Sequence, residues 1–325
     1  MCRQYGEPDE LSLEQIERPS LRPDEVRINV HACGVNFPDI LMIRGQYQVK
    51  PALPFSPGCE ISGEIVEVGE AVQEYHQGDR VVAMTGFGGM QEQISIATGN
   101  CRLISKDLDL DIAAVFCMAY GTSYHALVDR ANLQPGETIV ILGATGGVGS
   151  AAVDIARKLG ARVIAAGSND EKLELLARLY DGITTVNYSL SQPSFKDMIK
   201  HLTNNRGADV IFDPIGGDIF QQSLRAVNWK ARILVVGFVS DGSNLPRAPT
   251  NLLLLKGSAL IGVFWGRFVE EEPEKSKENF DQLFVWLQKK ELAPYISHRF
   301  PLENATEALK VLTNRKVVGK CLVYM

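Results

Sequence analysis

Between residues 138 and 263 the chain alternates short apolar runs with segments in which apolar residues recur at helical spacing. Short runs rich in β-branched residues are typical of buried strands, and apolar residues three or four apart are typical of a helix with one buried face. The predicted strands are residues 138–142, 162–166, 184–187, 209–212, 232–237 and 259–263, and the predicted helices are residues 148–159, 170–180, 195–202, 219–227 and about 250–256. This order predicts a doubly wound α/β domain with a six-stranded parallel Rossmann sheet, whose ligand crevice lies at the carboxyl ends of the strands.

The chain before that domain has a different pattern, in which short strands are separated by frequent turns. Residues 25–30 and 60–68 alternate polar and apolar positions, and residues 79–83 form a short apolar run. The segment between the first two, residues 34–58, contains four prolines and three glycines and is too irregular for regular structure throughout. Its apolar and aromatic content argues against disorder, and long irregular segments inside a compact domain are usually functional.

The end of the chain returns to short elements. A helix is predicted at residues 279–289, followed nearer the end by a second helix and a closing strand. Because chain termini tend to lie close together, we assign this tail to the strand-rich domain. The expected organisation is a β-rich domain of residues 1–118 and 266–325 and a dinucleotide-binding domain of residues 119–265.

Composition and charge narrow the class of partner. The 325 residues are 45% hydrophobic and 22% charged, as in an ordinary water-soluble protein of two domains. The formal net charge of −6, with no stripe of Lys and Arg, argues against nucleic-acid binding. No apolar run reaches the roughly 18 residues of a membrane span, so we expect no membrane insertion. The expected partner is a small molecule or another protein.

The six cysteines are scattered without a C-x-x-C pair, which in a chain of this length suits free thiols in a reducing compartment. We therefore expect a cytoplasmic or mitochondrial-matrix protein. No signal-peptide core follows Met1, although the chain begins abruptly, as if a first strand had been shortened, and a targeting segment could have been lost there.

The strongest local signal is the glycine turn, Gly143 to Gly149, between the first predicted strand and helix of the central domain. Without Cβ atoms the backbone can turn sharply, the helix can press on the strand, and a pyrophosphate can approach N–H groups at the positive helix end. An ordinary strand-to-helix loop is the competing interpretation. The flanking periodicity favours nucleotide binding. The expected pyrophosphate contacts are Gly143, Ala144, Gly146, Gly147, Val148 and Gly149.

The tip of the second predicted strand indicates which nucleotide binds. An NAD-binding turn usually carries Asp or Glu there to hold the ribose 2′-hydroxyl, and that acid is missing. Ser168, Lys172 and Tyr188 instead form a set suited to a 2′-phosphate, which predicts NADPH. Ser168 and Glu171 also fit a capping box, so capping is the competing explanation for Ser168, and the acidic Asp170 and Glu171 weaken the electrostatic argument.

Several short motifs now carry a family resemblance. They are GVNFPDI at 34–40, the GQY and PFSPG that follow, GDRV at 78–81, Tyr120-Gly121-Thr122, GATGGVG, DPIGG at 213–217 and Val318-Gly319-Lys320. Together these resemble, from end to end, the zinc-free quinone oxidoreductase branch of the medium-chain dehydrogenase/reductase superfamily. The resemblance implies a GroES-like catalytic domain beside the Rossmann domain, a homodimer, and a small-molecule quinone or enone substrate. By the same comparison the cofactor or pocket contacts are Thr122, Gly146, Gly147, Val148, Ser168, Lys172, Tyr188, Gly237, Phe238, Phe264, Trp265 and Lys320.

The resemblance also bears on metal binding. Zinc members of the superfamily carry a Cys where this chain has Asn36, a Gly-His-Glu motif where it has Gly58-Cys59-Glu60, and a further Cys near Met118. Cys59 and Glu60 alone are too few for a three-ligand catalytic site, so no metal is expected. Cys59 is interpreted as a small buried hydrophobe.

Without a metal, the acceptor oxygen has to be polarised by hydrogen-bond donors as hydride arrives from the nicotinamide. Asn36 and Tyr47 are the predicted catalytic donors, and both match the family's substrate-side Asn and Tyr. The competing interpretation of Tyr47 is a half-buried loop tyrosine with a satisfied hydroxyl. Core packing is an equally simple explanation for Phe264, and it suits Trp265 less well.

These features predict an NADPH-dependent oxidoreductase that reduces quinones or related conjugated carbonyls by hydride transfer in an interdomain cleft. One alternative is reduction of an activated C=C bond in an enone, 2-alkenal or enoyl thioester. Another is an NADPH-binding sensor, trafficking factor or scaffold with little catalysis. Residues 251–263 are the most apolar segment near a sheet edge, and we expect them to be buried in the homodimer.

Overall fold

The computed structural model describes residues 1–190, 192–239 and 245–325. The chain forms two compact units, one made of Met1–Met118 with Pro294–Met325 and the other of Ala119–Ala293. Within the described ranges, no helix is long and apolar enough to cross a bilayer.

Both units contain strands and helices. The strands are β1 (Glu25–Val35), β2 (Glu60–Val68), β3 (Arg80–Met84), β4 (Gln93–Ala97), β5 (Cys101–Leu103), β6 (Thr138–Leu142), β7 (Arg162–Gly167), β8 (Thr184–Asn187), β9 (Ala208–Asp213), β10 (Val227–Val235), β11 (Ala259–Gly262), β12 (Ile296–Pro301) and β13 (Lys320–Tyr324). The helices are α1 (Phe37–Ile43), α2 (Leu110–Ala114), α3 (Cys117–Tyr124), α4 (Gly147–Lys158), α5 (Asp170–Leu179), α6 (Phe195–Leu202), α7 (Gly217–Ser223), α8 (Thr250–Lys256), α9 (Trp265–Glu271), α10 (Pro273–Gln288) and α11 (Ala305–Thr313). A π-helical turn, His125–Arg130, follows α3.

The second unit is the predicted Rossmann domain. Its sheet has six parallel strands in the order β11-β10-β9-β6-β7-β8, which confirms the predicted fold class. Strand β6 is central and buried along its whole length, which explains why its residues are uniformly apolar rather than alternating. The glycine turn therefore leaves the middle of the sheet at its carboxyl end, where open α/β sheets bind their ligands.

The expected boundary at residue 265 is wrong, because residues up to Ala293 belong to the Rossmann unit. Phe268 of α9 stacks on His125 with ring centroids 3.9 Å apart, and Asn279 of α10 donates to Asp129 at 2.7 Å. The N–H of Ala293 donates to Asp154 at 2.7 Å. The sequence pattern predicts the apolar face of α10, but an apolar face does not identify which core it covers.

The first unit is the predicted β-rich domain. Its sheet has the strand order β12-β13-β1-β2-β3-β5. Strand β4 pairs with the first half of β1, from Glu25 to Asn29. The predicted irregular segment contains one short helix, α1. This helix begins with a capping box, in which the Asp39 side chain accepts the N–H of Asn36 at 2.7 Å.

Candidate active site

The glycine turn is shaped by close backbone packing at two positions. Gly143 has φ of +59°, a conformation that residues with a Cβ rarely adopt. A Cβ on Gly149 would lie 2.2 Å from the carbonyl oxygen of Gly143, so α4 can press on the turn only if residue 149 is glycine. These two glycines are explained by the fold alone.

Gly146 is different, because packing does not require a glycine there. A Cβ on this residue would meet only the Gly143 carbonyl oxygen, at an ordinary 3.5 Å. Gly146 is the N-cap of α4, and no side chain in the described ranges caps the helix, so the first-turn N–H groups beginning at Gly147 and Val148 can meet a ligand. Of the other predicted contacts, the Ala144 N–H already donates to Ala166 of β7 at 3.0 Å. The open side of the turn therefore has the geometry of a helix N-terminus that can accept an anionic group.

The loop after β9 supports the turn from the neighbouring strand. The Ile215 side chain would lie 2.6 Å from a Cβ on Gly143. One carboxylate oxygen of Asp213 accepts the N–H groups of Ile215 and Gly216, at 2.7 and 2.9 Å, and burial raises the pKa of Asp213 to about 6. Phe238, which follows the half-buried Gly237, is partly exposed and lies against Gly216. Asp213 and Ile215 were not among the predicted site residues.

The tip of β7 resolves one of the competing interpretations. Asn169, rather than Ser168, caps α5, because its side-chain oxygen accepts the N–H of Lys172 at 2.9 Å. Ser168 is exposed, and its hydroxyl has no hydrogen-bond partner within the described part of the chain. Asp170, the first carboxylate after Ser168 in the sequence, accepts a hydrogen bond from Asn187 at 2.9 Å. The capping-box explanation of Ser168 is therefore wrong.

The other two residues predicted near this tip are partly buried. Burial lowers the pKa of the Lys172 ammonium. Tyr188 donates its backbone N–H to Gly167 at 2.9 Å and packs edge-on against Phe195. Ser168, Lys172 and Tyr188 thus follow the ends of the neighbouring strands β7 and β8.

The expected packing of Phe264 and Trp265 is reversed. Trp265 is buried against the backbone of Gly121, where an added Cβ would lie 2.8 Å from the indole ring, and it packs edge-on against Phe280. Phe264 is 57% exposed. The reason is that β11 ends at Gly262 and Trp265 begins α9, which packs onto α3. Thr122 is half-buried on α3, next to Gly121.

In the first unit, three buried side chains form what we call the polar network: Asn36, Glu60 and Lys320. The Lys320 ammonium lies 2.5 Å from the Asn36 side-chain oxygen and 3.0 Å from Glu60 Oε1. The Asn36 amide nitrogen donates to Glu60 Oε1 at 2.9 Å and to the Gly34 carbonyl at 3.2 Å. Because lysine only donates and a carboxylate only accepts, these partners fix the orientation of the amide.

The polar network changes the expected role of two residues. Both N–H groups of the Asn36 amide are engaged within the unit, so Asn36 does not present the free donor that the sequence predicted. Lys320, predicted as a cofactor or pocket contact, is 4% exposed and paired with Glu60. The pairing of Glu60 with Lys320 could not be predicted from the sequence, because the two residues are 260 positions apart and meet only when β2 and β13 flank β1.

Asp39 and Tyr47 lie near the polar network. Asp39 is fully buried and accepts hydrogen bonds from the N–H of Gly58 and the thiol of Cys59, both at 3.0 Å; burial raises its pKa to about 6. Tyr47 is half-buried, and burial, followed by the nearby Cys59 and Asp39, raises its pKa. The Tyr47 hydroxyl has no hydrogen-bond partner on the residues that the structure describes. The Asn-x-x-Asp spacing of the capping box was the one sequence signal that could have identified Asp39.

These residues do not fit a catalytic metal ion. Cys59 donates to Asp39, and the Glu60 carboxylate already holds a lysine ammonium, whose positive charge would oppose a cation. In the ranges that the structure describes, no three His, Cys, Asp or Glu side chains are grouped to hold a metal.

A β-rich unit with a buried polar network and a Rossmann unit with an open glycine turn are the two parts of a dinucleotide-dependent dehydrogenase or reductase. Residues 22–110 match the alcohol dehydrogenase GroES-like domain, and residues 147–283 match the zinc-binding dehydrogenase domain. The quinone oxidoreductase-like protein 2 homolog of Nematostella vectensis is 39% identical over 326 residues, which cover 99% of this chain and 87% of that protein.

Two solved structures extend the comparison. A mycobacterial protein complexed with NADPH is 25% identical, with a TM-score of 0.90 and coverage of 99% of this chain and 98% of that one. The CurK enoyl reductase is 26% identical, with a TM-score of 0.87 and coverage of 99% and 97%. The chain belongs to the quinone oxidoreductase-like members of the medium-chain dehydrogenase/reductase superfamily, which confirms the predicted resemblance.

Proposed function

We propose that the protein is an NADPH-dependent reductase that transfers hydride to a quinone or a similar conjugated carbonyl without a zinc ion. The observation that carries this proposal is the open cradle at Gly146, where a glycine that packing does not require leaves the N-terminus of α4 uncapped. That geometry suits a pyrophosphate. The bound nicotinamide would supply the hydride, and the protein would supply binding, orientation and a proton.

The choice of NADPH over NADH rests on the tip of β7. The exposed Ser168 hydroxyl has no hydrogen-bond partner among the described residues, and Lys172 follows it by one helical turn. The neighbouring carboxylate, Asp170, is exposed and accepts a hydrogen bond from the Asn187 amide. A hydroxyl and an ammonium suit a 2′-phosphate, whereas a ribose 2′-hydroxyl is usually held by an acid. The NADPH complex of the mycobacterial relative supports the same choice.

Tyr47 is the proposed donor to the acceptor oxygen. Its raised pKa keeps the hydroxyl protonated at neutral pH, and its lack of a partner among the described residues leaves the O–H free to donate. Hydride from NADPH and a proton from Tyr47 would convert the quinone to the hydroquinone and NADPH to NADP⁺, and solvent would then reprotonate the tyrosine. Asn36 would act through the polar network rather than by direct donation.

The test compares NADPH oxidation with a panel of quinones and a panel of enones and enoyl thioesters, each measured for wild type and Tyr47→Phe. We expect quinone turnover by wild type, with kcat lowered about 10- to 100-fold in Tyr47→Phe. Turnover of enones alone would replace the proposal by C=C reduction, which the similarity to CurK enoyl reductase favours as the second candidate. Tight NADPH binding without oxidation by either panel would support a sensor or scaffold.

We also propose that the protein forms a homodimer through β11 and α8. Strand β11 is an edge of the Rossmann sheet, and Leu254, Leu255 and Leu260 on and beside it are exposed, Leu254 by 80%. Sedimentation velocity should give the dimer mass for wild type and a monomer for Leu255→Asp. Leu13→Asp, which changes an exposed leucine of the other unit, should leave the dimer intact. A monomeric wild type would contradict the proposal.

A further inference from the structure

We propose that Glu60 is the positioning residue of the acceptor side of the site, an inference that rests on the proposed reductase function. Its carboxylate links three parts of the first unit. One oxygen holds Asn36 and Lys320, and the other holds the backbone of Met118. Glu60 thereby fixes the segment before α1, the first residue of β13 and the point where the chain leaves the unit.

The hydrogen bonds of Glu60 have ordinary lengths and are enclosed by protein. Oε1 accepts from the Asn36 amide at 2.9 Å and from the Lys320 ammonium at 3.0 Å, while Oε2 accepts the Met118 N–H at 2.9 Å. Glu60 is 1% exposed. A buried carboxylate with a paired ammonium and two further donors is satisfied electrostatically and has little freedom to move.

The neighbouring backbone leaves space for this carboxylate. A Cβ on Gly34 would lie 2.7 Å from Glu60 Oε1, and the carbonyl of Gly34 accepts the second N–H of Asn36. The backbone before α1 is therefore fitted closely around the same Glu60 oxygen that holds Lys320.

Only a carboxylate satisfies the three donors together. Glutamine has the same shape but one of its two terminal atoms is an NH₂ group, which donates. If that group faced Met118, two donors would meet there; if it faced Lys320 and Asn36, it would meet two donors at once. Glu60→Gln therefore preserves volume while breaking at least one bond, which isolates the positioning role from simple packing.

The position of Met118 explains why this matters for the reaction. Met118 is the last residue of the first unit, and Ala119 begins the second. Loss of the bond at Oε2 would loosen that residue, and loss at Oε1 would loosen Asn36. Neither change touches the glycine turn, so kcat should fall while NADPH affinity is retained. Misplacement of reacting groups by about 1 Å can lower a rate about 100-fold.

The experiment compares Glu60→Gln with Glu64→Gln, an exposed glutamate on the same strand. The measurements are kcat per NADPH-binding site, KM for the quinone, the Kd of NADPH, and hydrogen exchange of the Met118 amide. We expect Glu60→Gln to lower kcat about 10- to 100-fold, with the Kd of NADPH unchanged within about twofold and faster Met118 exchange. Glu64→Gln should match wild type in all four.

Unchanged kcat in a folded Glu60→Gln variant would overturn the inference, even if Met118 exchanged faster, because Glu60 would then be only structural. An NADPH Kd that weakened in parallel with kcat would also overturn it. If Glu60→Gln does not fold, the double variant Glu60→Gln/Lys320→Met, which removes both buried charges, should fold and bind NADPH while remaining slow. Full activity in that double variant would refute the positioning role.

The two proposals fail in different ways. If none of the tested acceptors supports NADPH oxidation by wild type, the proposed reductase function is wrong, and kcat cannot report on the role of Glu60. Hydrogen exchange of the Met118 amide still tests the role of Glu60 in that case. Equal exchange rates in wild type and Glu60→Gln would mean that Glu60 does not position the backbone at Met118.

Discussion

The glycine turn of the Rossmann unit is built from backbone atoms, whereas the polar network of the β-rich unit is built from side chains. In the turn, Gly143 and Gly149 allow close backbone packing, and Gly146 leaves the N-terminus of α4 without a side-chain cap from the described residues. In the network, Glu60 and Lys320 contribute opposite charges that are buried and satisfied by each other. The turn leaves space beside a helix N-terminus, whereas the network fills its buried space with paired charges and dipoles.

This difference has consequences for how each region responds to change. In the turn, an added Cβ is tolerated where the space beside the glycine is open and is destabilising where that space is occupied. A network built from buried charges is sensitive to the loss of either partner, because the remaining charge has no compensation. The four predictions that follow test this contrast, in order of expected effect.

The largest effect is expected for Lys320→Met, which leaves Glu60 buried without its counter-charge. We expect the free energy of unfolding to fall by about 3 to 5 kcal/mol at neutral pH, since breaking a buried pair by removing one partner typically has that effect. Urea unfolding gives the measurement. Lys316→Met, an exposed lysine close by in the sequence, is the control and should change stability by less than about 0.5 kcal/mol. A change in Lys320→Met as small as in the control would show that the network does not stabilise the unit.

Gly149→Ala should have the next largest effect, and it acts through packing instead of charge. The new Cβ would lie 2.2 Å from the Gly143 carbonyl oxygen, a backbone atom that cannot move without displacing the end of β6. We expect a loss of about 2 to 3 kcal/mol in the free energy of unfolding, in the upper range for overpacking. Gly99→Ala, where a Cβ would meet open space, is the matched control. Equal stability of both variants would mean that α4 does not press on the turn.

The same contrast explains what could be predicted from the sequence. Strands β6 to β11 and the turn were predictable because each signal is local: an apolar run, a glycine spacing, a helical period. The polar network was not, since Asn36, Glu60 and Lys320 come from three separate stretches and their pairing depends on strand order. The predictions for Trp265 and for residues 266–293 were wrong for a related reason. The apolar periodicity of a helix does not indicate which surface the helix packs against.

The pH dependence of the free energy of unfolding should reveal the contribution of Asp213, whose carboxylate supports the turn. Burial raises its folded pKa to about 6, above the value of the unfolded chain, so the folded state binds this proton more tightly. Its stabilising contribution is present below the unfolded pKa, near 4, and is lost as pH rises to about 6. Asp213→Asn keeps an oxygen that can accept the N–H groups of Ile215 and Gly216 but removes the titration.

We therefore expect the free energies of unfolding of wild type and Asp213→Asn, followed by urea unfolding from about pH 4 to pH 7, to diverge by about 1 to 3 kcal/mol in favour of the variant as pH rises. Asp39, whose pKa is also about 6, contributes equally to both proteins and cancels in the difference. Parallel pH profiles would contradict the assignment to Asp213.

The smallest effect is expected for Gly146→Ala, and it is the most informative about function. Its Cβ would make only an ordinary 3.5 Å contact with Gly143, so thermal stability should match wild type. The methyl group would instead occupy the space through which a pyrophosphate approaches α4, and we expect NADPH affinity to fall at least about tenfold, or about 1.4 kcal/mol. Isothermal titration with NADPH measures this directly. Stability and affinity should thus separate at Gly146, whereas at Gly149 both should fall. If Gly146→Ala binds NADPH as tightly as wild type, the turn is an ordinary loop and the proposed cofactor site has to be sought elsewhere.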